Sequence, residues 1–288
     1  MTVRKTSYIL LTACLSIAFR AVFAQPSHAQ DVLHRAHAHN DYEHDRPLLD
    51  ALDRGFGSIE VDVFLVDGAL LVAHDLEDVR ADRTLRSLYL DPLRERVQAH
   101  DGSVYGEGTP VLLLVDVKSE AEPTYEALRS VLREYAGMLT RFERSSAAGS
   151  GETADGGRAT EETIEGAVTV VISGNRARSM MRAEDVRLAA YDGRMEDLEQ
   201  HADVPPSFIP LVSIPWYGIS SWRGEGAIPD ADLDQLRRLV AAAHEQGRMI
   251  RFWATADTST VWDVLTEENV DLIGADDLEA LGTYLRSR

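Results

Sequence analysis

Polar side chains that could do chemistry recur two residues apart near the ends of the first predicted strands. The pairs are His37 with His39, Glu60 with Asp62, and Asp116 with Lys118. Residues i and i+2 of a strand face the same side, so each pair presents two polar groups to one face. Three such pairs on consecutive strands predict one polar cluster and not a scattered solvated surface.

The acidic members of these pairs, Glu60, Asp62 and Asp116, are candidate metal ligands. Burying them together as bare carboxylates would cost free energy through desolvation and mutual repulsion. A divalent cation removes that cost, and an all-oxygen set suits Mg²⁺ or Ca²⁺ better than zinc. Taken alone, Asp62 or Asp116 is more simply explained as a loop cap or an arginine partner. As a set, the three carboxylates predict one divalent cation.

Two histidines are placed to lie near such a cation. His39 ends the first predicted strand, and His74 ends the return arm of a hairpin that turns at Val66–Leu70. Two imidazoles that titrate near neutral pH can supply a general base and a general acid. The remaining histidines considered are expected to be structural or at the surface: His34, His37, His100, His201 and His244.

Lys118 is the only lysine after Lys5 in a chain that otherwise uses arginine for positive charge. A compact ammonium two residues after a candidate ligand could neutralise an anionic group such as a phosphate oxygen. The alternative is that Lys118 is a chance product of the biased composition.

The elements that must position these residues alternate from residue 32 onward. The predicted strands are Val32–Asn40, Ser58–Leu65, Val111–Lys118, Val168–Ser173, Leu188–Tyr191, Pro210–Pro215, Met249–Thr255 and Leu272–Ala275. The amphipathic segments between them include Pro47–Arg54, Pro123–Arg141, Ala231–Gln246 and Thr260–Glu268. Strand–helix alternation predicts a parallel sheet, and eight strands favour a TIM-type (β/α)₈ barrel with its site at the strands' C-terminal ends.

Two segments fall outside this alternation. Residues 145–166 are polar and lack apolar periodicity, which predicts a flexible insertion between the third helix and the fourth strand. Residues 1–24 combine a basic start with an apolar run, which predicts a signal peptide cleaved after Ala24 or as late as Ala29. The only cysteine, Cys14, closes a run that resembles a lipoprotein processing box, so lipid anchoring is the alternative. The barrel is expected as a single domain over residues 31–288.

The composition limits the partners. A formal net charge of −19 opposes binding to nucleic acid, because phosphate backbones would be repelled. We expect an exported monomer, periplasmic or secreted, with no stable membrane span and a small-molecule ligand.

The motifs around these residues resemble one known superfamily. They read HAHNDY at 37–42, SIEVDV at 58–63, LVAHD at 71–75, LVDVK at 114–118 and RFWAT at 251–255. Together they resemble the PI-PLC-like phosphodiesterases, the group that contains glycerophosphodiester phosphodiesterases and sphingomyelinase D. The branch with the H-N-D-Y signature, of the altered-inheritance-of-mitochondria type, is the most similar. The likeness extends from residue 34 to about 285.

The resemblance implies a metal-dependent phosphodiesterase for a glycerophosphodiester or a phospholipid-derived substrate. The residues it identifies are His39 and His74 as the acid–base pair, Glu60, Asp62 and Asp116 as metal ligands, Asn40 and Lys118 near the phosphate, and Trp253 at the pocket mouth.

The chain also departs from the glycerophosphodiesterase pattern. Asn40–Asp41 stands where those enzymes have Arg-Gly, and no Glu-Asn-Thr motif precedes Glu60. Asp41 is an open candidate for the missing ligand, and Asp116 matches sphingomyelinase D better. These departures leave the substrate open.

Two other functions remain alternatives. One is a non-catalytic barrel that binds a phosphorylated or sugar ligand. The other is a zinc hydrolase of the amidohydrolase type, with His37 and His39 as a zinc pair and Asp276 or Asp277 after the last strand. That chemistry also needs histidines at the ends of the fifth and sixth strands, where Tyr191 and Trp216 lie instead.

Overall fold

The computed structural model describes residues 31–106, 108–144 and 161–288. The predicted signal peptide (1–24, or to 29), Cys14 and residues 145–160 of the predicted insertion lie outside the described residues.

The described residues contain strands that form a barrel and a small side sheet. In chain order they are β1 (Leu33–Ala38), β2 (Phe56–Val66), β3 (Ala69–Val72), β4 (Val111–Val117), β5 (Arg141–Arg144), β6 (Glu161–Ile164), β7 (Val168–Gly174), β8 (Val186–Arg187), β9 (Ala190–Gly193), β10 (Leu211–Pro215), β11 (Met249–Trp253) and β12 (Leu272–Ala275).

Eight of these strands close into a parallel barrel, in the order β1, β2, β4, β7, β9, β10, β11, β12. The ring closes because β1 pairs with both β2 and β12. The predicted single-domain barrel is therefore confirmed. The fifth barrel strand, β9, both begins and ends two residues later than predicted. The residues just before it, Val186–Arg187, pair with β5 in the side sheet.

Helices cover the outside of the barrel. They are α1 (Leu49–Leu52), α2 (Asp91–Ala99), α3 (Ala121–Arg133), α4 (Arg178–Ala183), α5 (Met195–Gln200), α6 (Asp230–Glu245), α7 (Ser259–Glu267) and α8 (Leu278–Arg286). The prediction that the third helix continues to Arg141 was wrong. The N–H of Thr140 donates to the carbonyl of Val168 at 2.8 Å, so this part of the chain is tied to β7 instead of continuing the helix.

The end of the predicted flexible insertion is also corrected. Residues 161–164 form β6, which pairs antiparallel with β5 in the side sheet. Buried Arg187 contacts Glu161 Oε1 at 2.5 Å, and this ion pair secures the strand. The polar composition of residues 161–164 reflects an exposed strand, which composition alone does not separate from a loop.

The barrel interior has an apolar layer below a polar one. Leu112, Leu114, Val171, Leu211 and Leu272 belong to a buried apolar cluster that fills the lower part. The alternate residues of the same strands pack outward in a second cluster that includes the buried faces of the helices. Because Asp116 follows Leu112 and Leu114 at spacings of two, the upper layer of the interior is the one that receives polar side chains.

The hairpin predicted after the second strand is confirmed. β3 pairs antiparallel with the end of β2, from Val66 opposite Ala69 to Val63 opposite Val72. Asp67 and Gly68 have φ angles of 48° and 81°, the left-handed conformation that two-residue hairpin turns require. His74 follows two residues after this arm, at the upper rim of the barrel.

Candidate active site

The candidate metal ligands come together on adjacent strands. Asp62 on β2 is directly opposite Asp116 on β4, and Glu60 lies two residues before Asp62 on the same face. Glu60, Asp62 and Asp116 offer oxygen atoms that all lie within 4.8 Å of one another. The predicted clustering of these carboxylates is therefore present in the structure.

A glycine on the next strand leaves room for Asp116. Gly174 at the end of β7 has a φ of +64°, and a Cβ on it would collide with Asp116 Oδ1 and with the backbone of Val117. Both the backbone conformation and the close approach require glycine at this position.

Glu60 is neutralised from across the barrel. Its Oε2 lies 2.5 Å from Arg251 Nη1 and 2.8 Å from His37 Nε2, and all three side chains are buried. Burial by itself would raise the pKa of Glu60, but the charge of Arg251 and the hydrogen bond from His37 hold that pKa well below its usual range. Burial and Arg251 lower the pKa of His37 to about 4, so His37 is a neutral hydrogen-bonding partner and Arg251 is the counter-ion.

Lys118 pairs with the other two carboxylates. Its Nζ lies 3.0 Å from Asp62 Oδ2 and 3.5 Å from Asp116 Oδ2, and the hydroxyl of Tyr42 also donates to Asp62 Oδ2 at 2.7 Å. Burial raises the pKa of Asp62 to about 6, although Lys118 opposes the shift, and burial likewise raises the pKa of Asp116.

These residues fit a divalent cation. Asp62 Oδ1 is buried and has no hydrogen-bond partner among the described residues. Two cations, Lys118 and Arg251, face three carboxylates, so the cluster keeps an excess of negative charge. An unpartnered oxygen within an all-oxygen donor set is what a hard divalent ion would satisfy.

His39 lies at the barrel mouth and is held by an aspartate that the sequence reasoning did not identify as its partner. Its Nδ1 lies 2.7 Å from Asp276 Oδ1, and its side chain is 32% exposed. Burial lowers the pKa of His39, but the hydrogen bond to Asp276 and the charge of Glu60 outweigh burial and raise the pKa above 6.5. The sequence position of Asp276 could have predicted this contact. Asp276 directly follows the last strand, and the last strand of a closed barrel lies beside the first strand, which His39 follows.

His74 is the more exposed of the two histidines. Its Nδ1 lies 3.0 Å from Asp75 Oδ2, and this hydrogen bond raises the pKa of His74. In both histidines an aspartate engages Nδ1, so Nε2 is the nitrogen left for a reacting group.

One cavity of ≈ 360 Å³ joins these groups. Its lining includes all the predicted site residues except Asp62, namely His39, Asn40, Glu60, His74, Asp116, Lys118 and Trp253. Asp62 lies just beneath, with a side chain that is 1% exposed. Asn40 is further held by a 2.9 Å contact between its Oδ1 and the Tyr42 hydroxyl.

The cavity also has residues that the sequence reasoning did not assign to the site. Ser173, Arg194 and Arg251 line it. Arg251 stands two residues before Trp253, so the spacing that identified the other pairs could also have placed it on the inner face.

Asp41 and His37 have structural environments. Asp41 Oδ2 accepts hydrogen bonds from the Leu48 N–H at 2.5 Å and the Tyr89 hydroxyl at 2.8 Å, and Asp41 is not one of the three carboxylates whose oxygens lie within 4.8 Å of one another. Both ring nitrogens of His37 are engaged, Nδ1 by Ser58 at 2.7 Å and Nε2 by Glu60. This leaves His37 no nitrogen for a zinc ion, which disfavours the amidohydrolase alternative.

In the part of the chain that the structure describes, no helix has the length and apolar character needed to cross a membrane.

Comparisons with known proteins agree with the motifs. Residues 27–153, which carry both histidines and all three carboxylates, match the model of the AIM6-like phosphodiesterase domain. The predicted family resemblance is confirmed. The AIM6-like segment is also the part of the chain in which the motifs are most specific.

Relatives of this type extend the likeness beyond the AIM6-like segment. The chain is 26% identical to altered inheritance of mitochondria protein 6 homolog of Arthroderma benhamiae, over 86% of this chain and 82% of that protein. It is 24% identical to altered inheritance of mitochondria protein 6 of Eremothecium gossypii, over 88% of this chain and 70% of that protein. A solved glycerophosphodiester phosphodiesterase of Agrobacterium tumefaciens is 15% identical over 89% of this chain and all of that chain, with a TM-score of 0.49.

Proposed function

We propose that the protein hydrolyses a phosphodiester, with a divalent cation and with His39 and His74 as the acid–base pair. The observation that supports this most directly is the convergence on one cavity of two aspartate-held histidines and a carboxylate cluster. The match of residues 27–153 to the AIM6-like phosphodiesterase domain supports the same reaction class.

Each residue has a distinct part in the proposed reaction. A divalent cation held by Glu60, Asp62 and Asp116 would polarise the phosphoryl oxygens and offset the charge that develops on them. Lys118 binds a non-bridging oxygen of the phosphate as a point charge, and Asn40 offers an amide donor beside it. Trp253 borders the space for the organic part of the substrate.

Proton transfer falls to the two histidines. One imidazole removes the proton of the nucleophile, which is water or a neighbouring hydroxyl of the substrate, and the other protonates the oxygen of the departing alcohol as its P–O bond breaks. Asp276 keeps a proton on Nδ1 of His39 and so presents Nε2 as the reacting nitrogen.

The test is hydrolysis of bis-p-nitrophenyl phosphate and a panel of glycerophosphodiesters by the protein lacking residues 1–24, with Mg²⁺, Ca²⁺ or EDTA. We expect turnover that EDTA abolishes, and ³¹P NMR of the product distinguishes a cyclic phosphate from direct attack by water. His39→Ala should reduce kcat by about 10²- to 10⁴-fold while metal binding persists.

His244→Ala is the matched control, because His244 also contacts an aspartate, Asp271, but at the surface and far from the cavity. Unchanged turnover in the His39 variant would exclude its proposed role. If no diester is cleaved under any metal condition, the non-catalytic ligand-binding barrel becomes the better description.

We further propose that the protein is exported and acts as a monomer on a small molecule. Residues 1–24 carry the features of a signal peptide, and cell fractionation with a Cys14→Ala variant separates a released protein from a lipid-anchored one. Retention of the full-length protein in the cytoplasm would contradict export.

A further inference from the structure

The cavity has a basic wall on the side opposite His39. β1 and β9 are the first and fifth of eight strands in the closed ring, so their ends face each other across the barrel mouth. His39 follows β1, and Arg194 follows β9 and lines the same cavity. Asp276 and Asp75, the acids that hold the histidines, lie on the His39 side of the ring.

Arg194 is held in place by its own contacts. Its Nη1 donates to Asp192 Oδ2 at 2.6 Å and to the Gly193 carbonyl at 2.9 Å, and its Nη2 donates to Ser173 Oγ at 3.1 Å. Asp192 is fully buried and also accepts hydrogen bonds from the hydroxyls of Ser173 and Ser213. A guanidinium fixed in this way loses little conformational freedom when a ligand binds.

The contacts leave part of this guanidinium available. A guanidinium has five N–H donors, and the contacts above use three of them. The side chain is 25% exposed, and within the described residues no further partner occupies the remaining donors. The N–H of Nε and one N–H of Nη2 are therefore left for a ligand of this cavity-lining residue.

A second guanidinium strengthens the positive field at this wall. Arg176 donates to the carbonyl of Asp192 at 2.5 Å and to that of Gly174 at 3.1 Å. Arg194 donates to the carboxylate of Asp192 and Arg176 to its carbonyl, so the two guanidinium groups lie close together. Burial and the charge of Arg194 lower the pKa of Arg176, while Asp192 and Asp197 oppose the shift. The single carboxylate of Asp192 faces two guanidinium groups, so this wall keeps an excess of positive charge that an anionic ligand would offset.

We propose that Arg194 binds an anionic oxygen group, a carboxylate or a phosphate, on the alcohol part of the diester, beyond the phosphate that is cleaved. This inference depends on the proposed function, because it assumes that the scissile phosphate lies between the carboxylate cluster and the two histidines, so that the alcohol part of the diester extends towards Arg194. A quaternary ammonium in the same position would face a like charge. The substrate class is therefore a phosphodiester with an acidic alcohol moiety.

Two matched pairs of substrates test this assignment. Glycerophosphoserine differs from glycerophosphoethanolamine only by a carboxylate, and glycerophosphoinositol 4-phosphate differs from glycerophosphoinositol only by a phosphate. We expect kcat/KM to favour the acidic member of one pair by roughly tenfold or more, the effect of a charged hydrogen bond. The pair that shows the preference identifies the group as a carboxylate or a phosphate.

Variants then assign the preference to Arg194. In Arg194→Gln the ratio of kcat/KM between the acidic and the neutral member of the pair should fall towards one, mainly through a rise in KM for the acidic member. Arg194→Lys should keep part of the preference for the acidic substrate that Arg194→Gln loses. Arg237→Gln is the control, because Arg237 pairs with Glu268 on the surface, and this change should leave the ratio as in the unmodified protein.

The assignment would be overturned if the unmodified protein cleaved the acidic and the neutral member of both pairs with similar kcat/KM. It would also be overturned if Arg194→Gln left the preference for the acidic member unchanged. If no diester is turned over, the proposed function fails separately. In that case calorimetry measures the Kd of the acidic and of the neutral member of each pair. Equal Kd values within both pairs would overturn the assignment to Arg194 as well.

Discussion

His39 and Asp276 show how a single contact sets the state of a candidate catalytic group. Asp276 engages Nδ1 of His39 and, with Glu60, raises the pKa of the imidazole above 6.5 against the effect of burial. Asp276 is itself held, because its backbone N–H donates to Asp257 Oδ2 at 2.8 Å. The orientation of the imidazole is therefore defined before any substrate binds.

Asp276→Asn should lower the pKa of His39, because the partner that raises it loses its charge while burial remains. We expect NMR titration of the His39 ring to show the fall, and the limb of the pH–rate profile that reports His39 to move to lower pH. The raised pKa also means that the pair stabilises the fold below about pH 6.5 and that this contribution is lost as pH rises through the higher folded value.

Asp75→Asn serves as the reciprocal control for that experiment. Asp75 contacts His74 and not His39, so this change should lower the pKa of His74 and leave that of His39 in place. An unchanged His39 titration in the Asp276 variant would show that Asp276 does not set its pKa.

At the scale of the elements, a buried ion pair connects two barrel strands that are far apart in the sequence. Arg251 on β11 and Glu60 on β2 form a buried ion pair, with Oε2 and Nη1 2.5 Å apart. The pair keeps Glu60 ionised at a position where burial alone would favour its protonated form.

Arg251→Met should lower the free energy of unfolding by about 3–5 kcal/mol in EDTA, because it leaves the Glu60 charge buried without its partner. Urea denaturation measures the loss. The double change with Glu60→Gln should recover part of it, since no uncompensated charge remains. Arg237→Met breaks an exposed pair with Glu268 and should cost at most about 1 kcal/mol, so equal costs for both arginines would contradict the assignment.

Gly174 gives a second prediction at this scale. Gly174→Ala should displace Asp116, because the new Cβ collides with its carboxylate, and so weaken metal binding by tenfold or more, a loss of about 1.4 kcal/mol. Calorimetric titration with Mg²⁺ or Ca²⁺ measures this effect.

Gly102→Ala is the control for backbone strain. Gly102 also has a positive φ, +96°, but a Cβ there would meet no atom within 4 Å. Both variants should therefore lose some stability, and only the Gly174 variant should lose metal affinity. Equal metal affinities in the two would show that Gly174 does not make room for Asp116.

At the scale of the whole molecule, the metal should stabilise the fold by mass action. A ligand that binds only the folded state adds about 2.7 kcal/mol at a concentration 100 times its Kd. We expect Mg²⁺ or Ca²⁺ to raise Tm by several degrees, as measured by differential scanning calorimetry, and Asp62→Asn or Asp116→Asn to remove the increase. A metal-dependent rise that persists in both variants would place the ion elsewhere.

Much of this architecture follows from local patterns in the chain. Short apolar runs that alternate with amphipathic segments predicted the eight-stranded barrel, because a buried strand and an outer helix each leave their own pattern of apolar residues in the local sequence. The spacing of two predicted that Glu60, Asp62 and Asp116 share the inner face, for the same local reason. Compositional patterns were less informative at residues 161–164, where an exposed strand carries the same polar residues as a loop.

The tertiary structure alone decided which groups become partners. Arg251 meets Glu60 across 191 residues, and His39 meets Asp276 across 237, because closure of the barrel brings β11 towards β2 and β12 beside β1. No local sequence pattern predicts such a pairing, because closure of the barrel, and not the residues next to each partner in the sequence, brings the two side chains together. The sequence by itself predicted that the three carboxylates share the inner face of the barrel, because that spacing is local. The closed ring determined the ion pairs of these groups, their orientation and the basic wall opposite His39.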